Sequence, residues 1–467
     1  MNNNKFLPLI KKSCANIYIL LGLVFLIRML ILYFLGKPYD TVHWNLWIRT
    51  GDTKSYIVFA NEIYSGVIKS YPFRLPLYPI VMVITHSLFS LEWLGTILFH
   101  QIISLVTAWM IYKLILPYVK SAAIIASLIF LFEPASFIYS YLLLPETFMI
   151  FIQVAATIFI IKASSLKGIK KFGFVSLSSL VLCSGVFFKP VLIYSLALYI
   201  IFIFFYFKDS LTYKILYVLL FICLFQTPIH FYRQYLYNKF GVYSLTRQEY
   251  SEKAGRALDI KYVAEHGRIM HIDSLRAEIR RTLISGGFDY NHPDYVLYSH
   301  ITDSISRTNL RKHPYAVAAH SFIDSYMFFQ PATGTISDFL NITNYTKIPD
   351  HATFDEKITH IENRTSSLTN IVIIFISLMY SLILIVPFFI SMINKNVRRM
   401  YSPLVYFAVM WFLYTSVAIG RIAQTRYRVT FIWTFAILAG IVYSYIKENG
   451  IKSIIPPFLK KDKLPET

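Results

Sequence analysis

The sequence predicts an all-α polytopic membrane protein: about ten transmembrane helices, a first extracytoplasmic loop of interfacial helices, and a small, mainly helical soluble extracytoplasmic domain. Three observations predict this class. Of 467 residues, 56% are hydrophobic and only 15% charged, against about 25% charged in an ordinary soluble domain. The apolar residues come in runs of roughly 16 to 25, close to what a bilayer needs and longer than most core helices. The short connectors between the runs are basic and fall on one side of a single threading. Together these exclude a soluble globular enzyme.

Taken in order, the chain opens with Lys5, Lys11 and Lys12 before the first apolar run. No small-residue cleavage site follows them, so they lead into a retained span rather than a signal peptide. The spans are read at 17–36, 94–117, 122–137, 147–161, 173–188, 191–207, 215–230, 367–391, 402–420 and 429–446. Basic connectors at Lys120, Lys162–Lys171, Lys208–Lys214 and Lys395–Arg399, with the tail from Lys447, are then cytoplasmic, as are both termini. The run Leu77–Phe89 is short, begins between Pro76 and Pro79 and contains His86, so it is expected to be re-entrant or interfacial. Counting it as a crossing would put two of the basic connectors outside. The +20 charge balance is therefore largely an orientation signal, and a nucleic-acid partner loses its support. Cys14, Cys183 and Cys223 read as reduced packing residues.

This gives an N-terminal transmembrane module at 1–230 with its outer loop at 37–93, a soluble segment at 231–366, C-terminal helices at 367–446 and a tail at 447–467. The 231–366 segment carries 16 Lys/Arg and 15 Asp/Glu, with a helical pattern at Ser274–Leu283 and a turn at Asn291–Pro293. Asn341, Asn344 and Asn363 begin glycosylation acceptor patterns that have meaning only in a eukaryotic secretory pathway.

Three constellations carry candidate chemistry. In the first outer loop, Asp52 stands near the start of an expected amphipathic helix whose apolar positions are Tyr56, Ile57, Phe59, Ala60, Ile63 and Tyr64. The helix is followed by Arg74 in the turn Arg74-Leu75-Pro76-Leu77-Tyr78-Pro79. Asp52 is either a helix cap, contributing about 1 kcal/mol, or a general base at a cavity. Arg74 is either an interfacial anchor or a phosphate-binding cation.

The second constellation is Glu133-Pro134 followed by Leu144-Pro145-Glu146-Thr147. Glu146 suits a helix N-terminus through the macrodipole, and Glu133, within an apolar run, is expected to face protein or a cavity. The third is cationic: Arg28 within the first span, Lys189-Pro190 where two spans meet, and Arg421, Arg426, Tyr427 and Arg428 in the last outer turn. Guanidinium groups on the outer side run against the positive-inside trend and suit an anionic ligand, with headgroup anchoring as the plain alternative. The histidines lack zinc-type pairing, and no HExxH or CxxC occurs, so neither metal nor cofactor is called for.

The outer-loop Asp, the basic-x-Pro-Leu-Tyr turn, the Pro-Glu-Thr helix start, the Lys-Pro and the Arg-Tyr-Arg, in that order, resemble the glycosyltransferase C superfamily. The branch most similar holds the aminoarabinose transferases of lipid A and the dolichyl-phosphate-mannose protein mannosyltransferases. The resemblance covers about residues 15–210 and returns at 400–446. It implies an inverting transfer of a sugar from a polyprenyl phosphate to a glycolipid, glycan or protein acceptor on the outer face. By it, Asp52 is the general base and Glu146 a second catalytic acid position. Arg74, Lys189, Arg426 and Arg428 hold the donor phosphate and stabilise the leaving group. Tyr56, Tyr78, Tyr427, Glu133 and Arg28 are its cavity-lining candidates. The implied setting is a bacterial inner membrane. One departure stands out: relatives often carry an acid just before the basic residue of the proline turn, where this chain has Phe73.

Two other classes share some of these features. A polyprenyl-linked glycan transporter or flippase has similar spans and intramembrane charges, but neither repeated halves nor paired helix interruptions are seen. An O-antigen polymerase or ligase places key cations in large outer loops, where this chain has Arg280, Arg281, Arg311, His313 and His320.

Overall fold

The computed structural model describes residues 17–35, 51–68, 71–89, 93–267, 272–289, 292–315, 367–419 and 429–450. Arg426, Tyr427, Arg428, Cys14, His320 and the acceptor asparagines lie outside them. The described residues are helical throughout, with no strand among them.

The N-terminal half contains α1 (Ile17–Leu35), α2 (Gly51–Tyr64), α3 (Leu77–Phe89), α4 (Leu94–Ile115), α5 (Lys120–Phe132), α6 (Pro134–Tyr139), α7 (Glu146–Ser165) and α8 (Gly168–Val186). After a 3-10 turn at Pro190–Ser195 come α9 (Leu196–Tyr206) and α10 (Leu211–Phe240). The remainder comprises α11 (Arg247–His266), α12 (Ile272–Ser285), α13 (Tyr295–Lys312), α14 (Ser367–Ile393), α15 (Lys395–Met400), α16 (Ser402–Ile419) and α17 (Ile432–Asn449). Helices α4, α7, α8 and α10 are long and apolar enough to cross a membrane, and α1, α3, α5, α9, α14 and α16 contain shorter apolar helical stretches.

Two expected boundaries shift, each for a local reason. The run read as one span at 122–137 is broken: α5 stops at Phe132, Glu133 is extended at φ −62°, ψ 121°, and α6 restarts at Pro134. A residue before proline is pushed out of the α region, and proline is well suited to the first helical position. Conversely, the boundary drawn at 230 falls inside α10, which runs for 30 residues with Pro228 in its interior. Pro228 stands at the join of its apolar and Tyr-rich halves, yet the helix continues through it. At about 45 Å it exceeds the roughly 30 Å hydrocarbon thickness of a bilayer. It ends at Gly241, whose φ of +73° lets the left-handed cap close on Tyr237.

The core is centred on α17, whose residues Ile432–Val442 are all buried. It packs against α5, α14 and α16. At Gly440 a side chain would meet the Ala122 carbonyl at 2.6 Å and the Ala126 Cβ at 2.8 Å, so glycine here is what lets α17 approach α5. Trp433 donates to Gln153 of α7 at 3.0 Å, satisfying two polar groups in this apolar setting.

Arg28 ties α1 to the rest. Fully buried, its guanidinium donates to Gln101 at 3.1 Å, Ser104 at 3.0 Å, Ser140 at 3.5 Å and the Leu131 carbonyl at 2.8 Å, and lies 5.1 Å from the Phe137 ring centroid. Tyr141 donates back to the Arg28 carbonyl at 3.1 Å.

Helices α11, α12 and α13 form a small unit with its own apolar cluster around Leu283, Phe288 and Tyr298. The helical pattern read at Ser274–Leu283 lies within α12.

Candidate functional site

The site begins with α2. Of the six expected apolar positions it buries Tyr56, Phe59 and Ala60, leaves Ile57 and Ile63 half-buried and Tyr64 exposed because the helix ends there, while Asp52 occupies the first turn. The Asp52 carboxylate forms an ion pair with Nη2 of Arg74, 22 residues further on. The Arg74 side chain is 3% exposed and that of Asp52 is 36% exposed, so the pair has one dry partner and one wet one.

Arg74 is held on several sides. Its Nε donates to the Ser55 hydroxyl at 2.7 Å and its Nη1 to the Gln248 side-chain carbonyl at 2.8 Å. Its guanidinium carbon stands 4.7 Å from the Tyr56 ring centroid and 4.9 Å from that of Phe73. Three N–H groups of the fork are engaged in these bonds and the remainder are uncommitted among the described residues.

A second ion pair joins Glu146, at the start of α7, to Lys189, in the extended residue after α8; Lys189 Nζ donates to Glu146 Oε1 at 3.0 Å. Both are buried, at 0% and 5% exposure. Separating such a pair strands a charge out of water, which fixes both side chains in place.

The fold brings the two pairs into one cluster. The Leu77 amide donates to the Phe187 carbonyl at 3.2 Å, joining the proline turn to the end of α8. Tyr56 meets Tyr78 edge-on at 5.0 Å. The Tyr78 hydroxyl lies 3.3 Å from His100 Nε2, and the two rings stack at 5.8 Å. Phe148, two residues beyond Glu146, packs on His100 at 5.4 Å and on Phe188, next to Lys189, at 5.1 Å. Tyr56 and Tyr78, expected to line a cavity, are 1% and 0% exposed and form this packed bridge instead.

Glu133 and Arg28, also expected at the cavity, are both 0% exposed. Glu133 accepts from the Ser136 amide at 2.6 Å and so caps α6. Arg28 belongs to the interhelical network described above. Arg281 pairs locally with Glu278 at 3.1 Å and its side chain is 74% exposed.

Sequence reasoning missed the contribution of the segment after α10. Tyr71 hydrogen-bonds Ser244, its burial pushing the phenol above the ordinary tyrosine range, and the Arg247 amide donates to the Pro72 carbonyl at 3.0 Å. The Arg247 guanidinium lies 5.4 Å from the centroid of the same Phe73 ring that carries Arg74. Among the described residues Arg247 has no carboxylate partner. The signal was present in Thr246-Arg247-Gln248-Glu249, a capping box in which the Glu249 amide donates to the Thr246 hydroxyl at 3.2 Å. It puts Arg247 in a first helical turn, where a cation opposes the macrodipole. Phe73 thus offers its ring to two guanidinium groups, and Arg247 adds a positive charge beside the Asp52–Arg74 pair.

No protein-family model and no curated protein matches the chain. Among solved structures it is similar to the archaeal oligosaccharyltransferase AglB from Archaeoglobus fulgidus in complex with an inhibitory peptide and a dolichol-phosphate, at 14% identity and TM-score 0.44, over 86% of this chain and 46% of that one. It is similar to the Archaeoglobus fulgidus oligosaccharyltransferase in its apo form at 16% identity and TM-score 0.47, over 92% of this chain and 50% of that one. It is also similar to ArnT from Cupriavidus metallidurans bound to undecaprenyl phosphate, at 11% identity and TM-score 0.30, over 87% of this chain and 77% of that one. The chain thus spans about half the length of the two archaeal structures. With every TM-score below 0.5, the reading of the site rests on its own residues.

Proposed function

We propose that the chain is an integral membrane glycosyltransferase that moves a sugar from a polyprenyl phosphate to an acceptor on the extracytoplasmic face, with inversion and with Asp52 as general base. The observation that carries this reading is the Asp52–Arg74 pair, in which a half-exposed carboxylate is oriented by a buried guanidinium. A general base needs that combination: a fixed position and access to the proton it takes.

In the proposed step the acceptor's oxygen or nitrogen attacks the anomeric carbon as its proton passes to the Asp52 carboxylate. The bond from that carbon to the phosphate oxygen breaks, and its electron pair leaves with the phosphate. Charge grows on the phosphate oxygens, so cations already in place lower the barrier. Arg247 and the uncommitted N–H groups of Arg74 supply them, with Lys189 held close by through Glu146. Arg426 and Arg428 keep the phosphate-binding role that the resemblance implies. The carrier phosphate is itself the leaving group, so the step calls for no nucleotide.

The test is sugar transfer in membranes expressing the chain, followed as loss of label from a panel of polyprenyl-phosphate sugars. Asp52→Asn, nearly isosteric and unable to take the proton, is expected to slow a donor-consuming wild type on the order of a hundredfold at equal protein level. Equal consumption by both proteins removes Asp52 from the mechanism.

A further inference from the structure

Beyond the two ion pairs, one cavity of about 310 Å³ lies between the C-terminal half of α2 and α3, lined by Ala60, Asn61, Tyr64, Val83, His86 and Trp93. Three of its side chains form a row of rings, Tyr64 against His86 at 6.0 Å and 83°, and His86 against Trp93 at 5.8 Å and 35°. Polar atoms interrupt this aromatic wall. His86 Nδ1 is buried without a hydrogen-bond partner among the described residues, and the exposed Asn61 side chain makes no hydrogen bond among them. A buried ring nitrogen calls for a polar partner such as a water or a ligand hydroxyl, and an isoprenoid or acyl tail would leave it without one.

Flat aromatic faces beside amide and imidazole groups are the surface that fits a sugar ring, with its apolar C–H face and its rim of hydroxyls. The volume is at the small end of ligand pockets, enough for a ring or two rather than an extended chain.

Its position gives the inference its content. The cavity lies beyond Asp52 along the axis of α2, with Ala60 and Tyr64 about 80° and 120° round the helix from it. At the rise of an α-helix, Ala60 and Tyr64 lie about 12 and 18 Å along the axis from Asp52. That is too far for the sugar being transferred and within reach of a further unit of the same glycan.

We propose that this cavity is a saccharide subsite, and that the substrate is therefore an oligosaccharide with one unit held apart from the reacting sugar, rather than a single sugar on a small acceptor. This rests on the transferase reading for its orientation toward Asp52, while the binding itself does not require turnover.

The test is titration calorimetry of the full-length protein in detergent with linear tetrasaccharides of glucose, mannose and N-acetylglucosamine. Saturable binding of at least one of them is expected, weakened on the order of tenfold in Asn61→Ala and in Tyr64→Ala. Both positions are exposed, so neither variant threatens the fold. If no tetrasaccharide saturates, or if binding ignores both cavity variants, the rings are an interfacial aromatic anchor and the proposal falls. An Asp52→Asn variant that transfers sugar normally while the cavity variants lose tetrasaccharide binding would instead overturn the mechanism and leave the subsite standing.

Discussion

Gln248 accepts a hydrogen bond from Arg74 at 2.8 Å across 174 residues of sequence, tying the first turn of α11 to the guanidinium that holds Asp52. Charge at position 248 is therefore expected to reach Asp52. In Gln248→Glu a second carboxylate competes for Arg74 and loosens its hold on Asp52, because charged hydrogen bonds are about twice as strong as neutral ones. Sugar transfer is expected to fall roughly tenfold. Gln248→Ala, which removes one neutral-acceptor bond, is expected to cost less than Gln248→Glu, with thermal unfolding in detergent changed little in either variant. A larger loss in the alanine variant contradicts the coupling.

The parts of this site that were legible in the sequence are those set by local patterning. The apolar spacing along Tyr56, Phe59 and Ala60 settles both the existence of α2 and the side it buries. Pro134 gives the break after Glu133, although a long apolar run across it hides the break from a hydropathy reading. What joins Asp52 to Arg74, and Glu146 to Lys189, is tertiary, since each pair is fixed by the packing of different helices and neither has a sequence spacing of its own. Arg247 was hidden because the 231–366 segment is nearly neutral, so that one cation does not stand out from its average.

The Glu146–Lys189 pair makes a stability prediction with an internal control. Lys189→Met leaves a carboxylate at 0% exposure without its ammonium and is expected to destabilise the fold by about 3–5 kcal/mol. Lys189→Met combined with Glu146→Gln removes both charges and is expected to recover much of that loss, because a buried pair contributes little beyond mutual neutralisation. Thermal unfolding of the three proteins in one detergent checks it. A double variant no more stable than Lys189→Met alone would show that the pair does more than cancel its own desolvation. Transfer is expected to stay low in the double variant even where folding recovers, which separates the two roles.

Arg28 supports the same bundle by another route. It holds Gln101, Ser104, Ser140 and the Leu131 carbonyl at once, joining α1 to α4 and to the α5–α6 break. Arg28→Met keeps much of the stem and removes every donor, leaving those acceptors to find other partners. Hydrogen bonds to charged groups are each worth about 1.5–3 kcal/mol, reduced by such re-pairing in an apolar setting. A net loss of about 2–3 kcal/mol is expected by denaturant titration, and α1 is expected to become more open to proteolysis than α17. Arg28→Lys is expected to recover only part of the loss, because one ammonium cannot reproduce the planar fork.

The close approach of α17 to α5 gives the last prediction. At Gly440 a methyl group would sit 2.6 Å from the Ala122 carbonyl and 2.8 Å from the Ala126 Cβ, well inside van der Waals contact, and both are parts of a rigid helix rather than the end of a flexible side chain. Gly440→Ala therefore has to push the helices apart. In a free helix the same change gains about 1 kcal/mol of propensity, so a stabilised variant would mean that the contact is looser than it is here. The expected result is a destabilisation of about 1–3 kcal/mol, the usual cost of overpacking, read as a lowered unfolding midpoint in detergent. The shift should spread along the contact between the two helices: Ser121 and Ser444 share a hydrogen bond at 2.5 Å across the same interface. If Gly440→Ala separates the helices there, Ser444→Ala is expected to cost less in the Gly440→Ala background than in the wild type, a non-additivity that a double-mutant cycle measures directly.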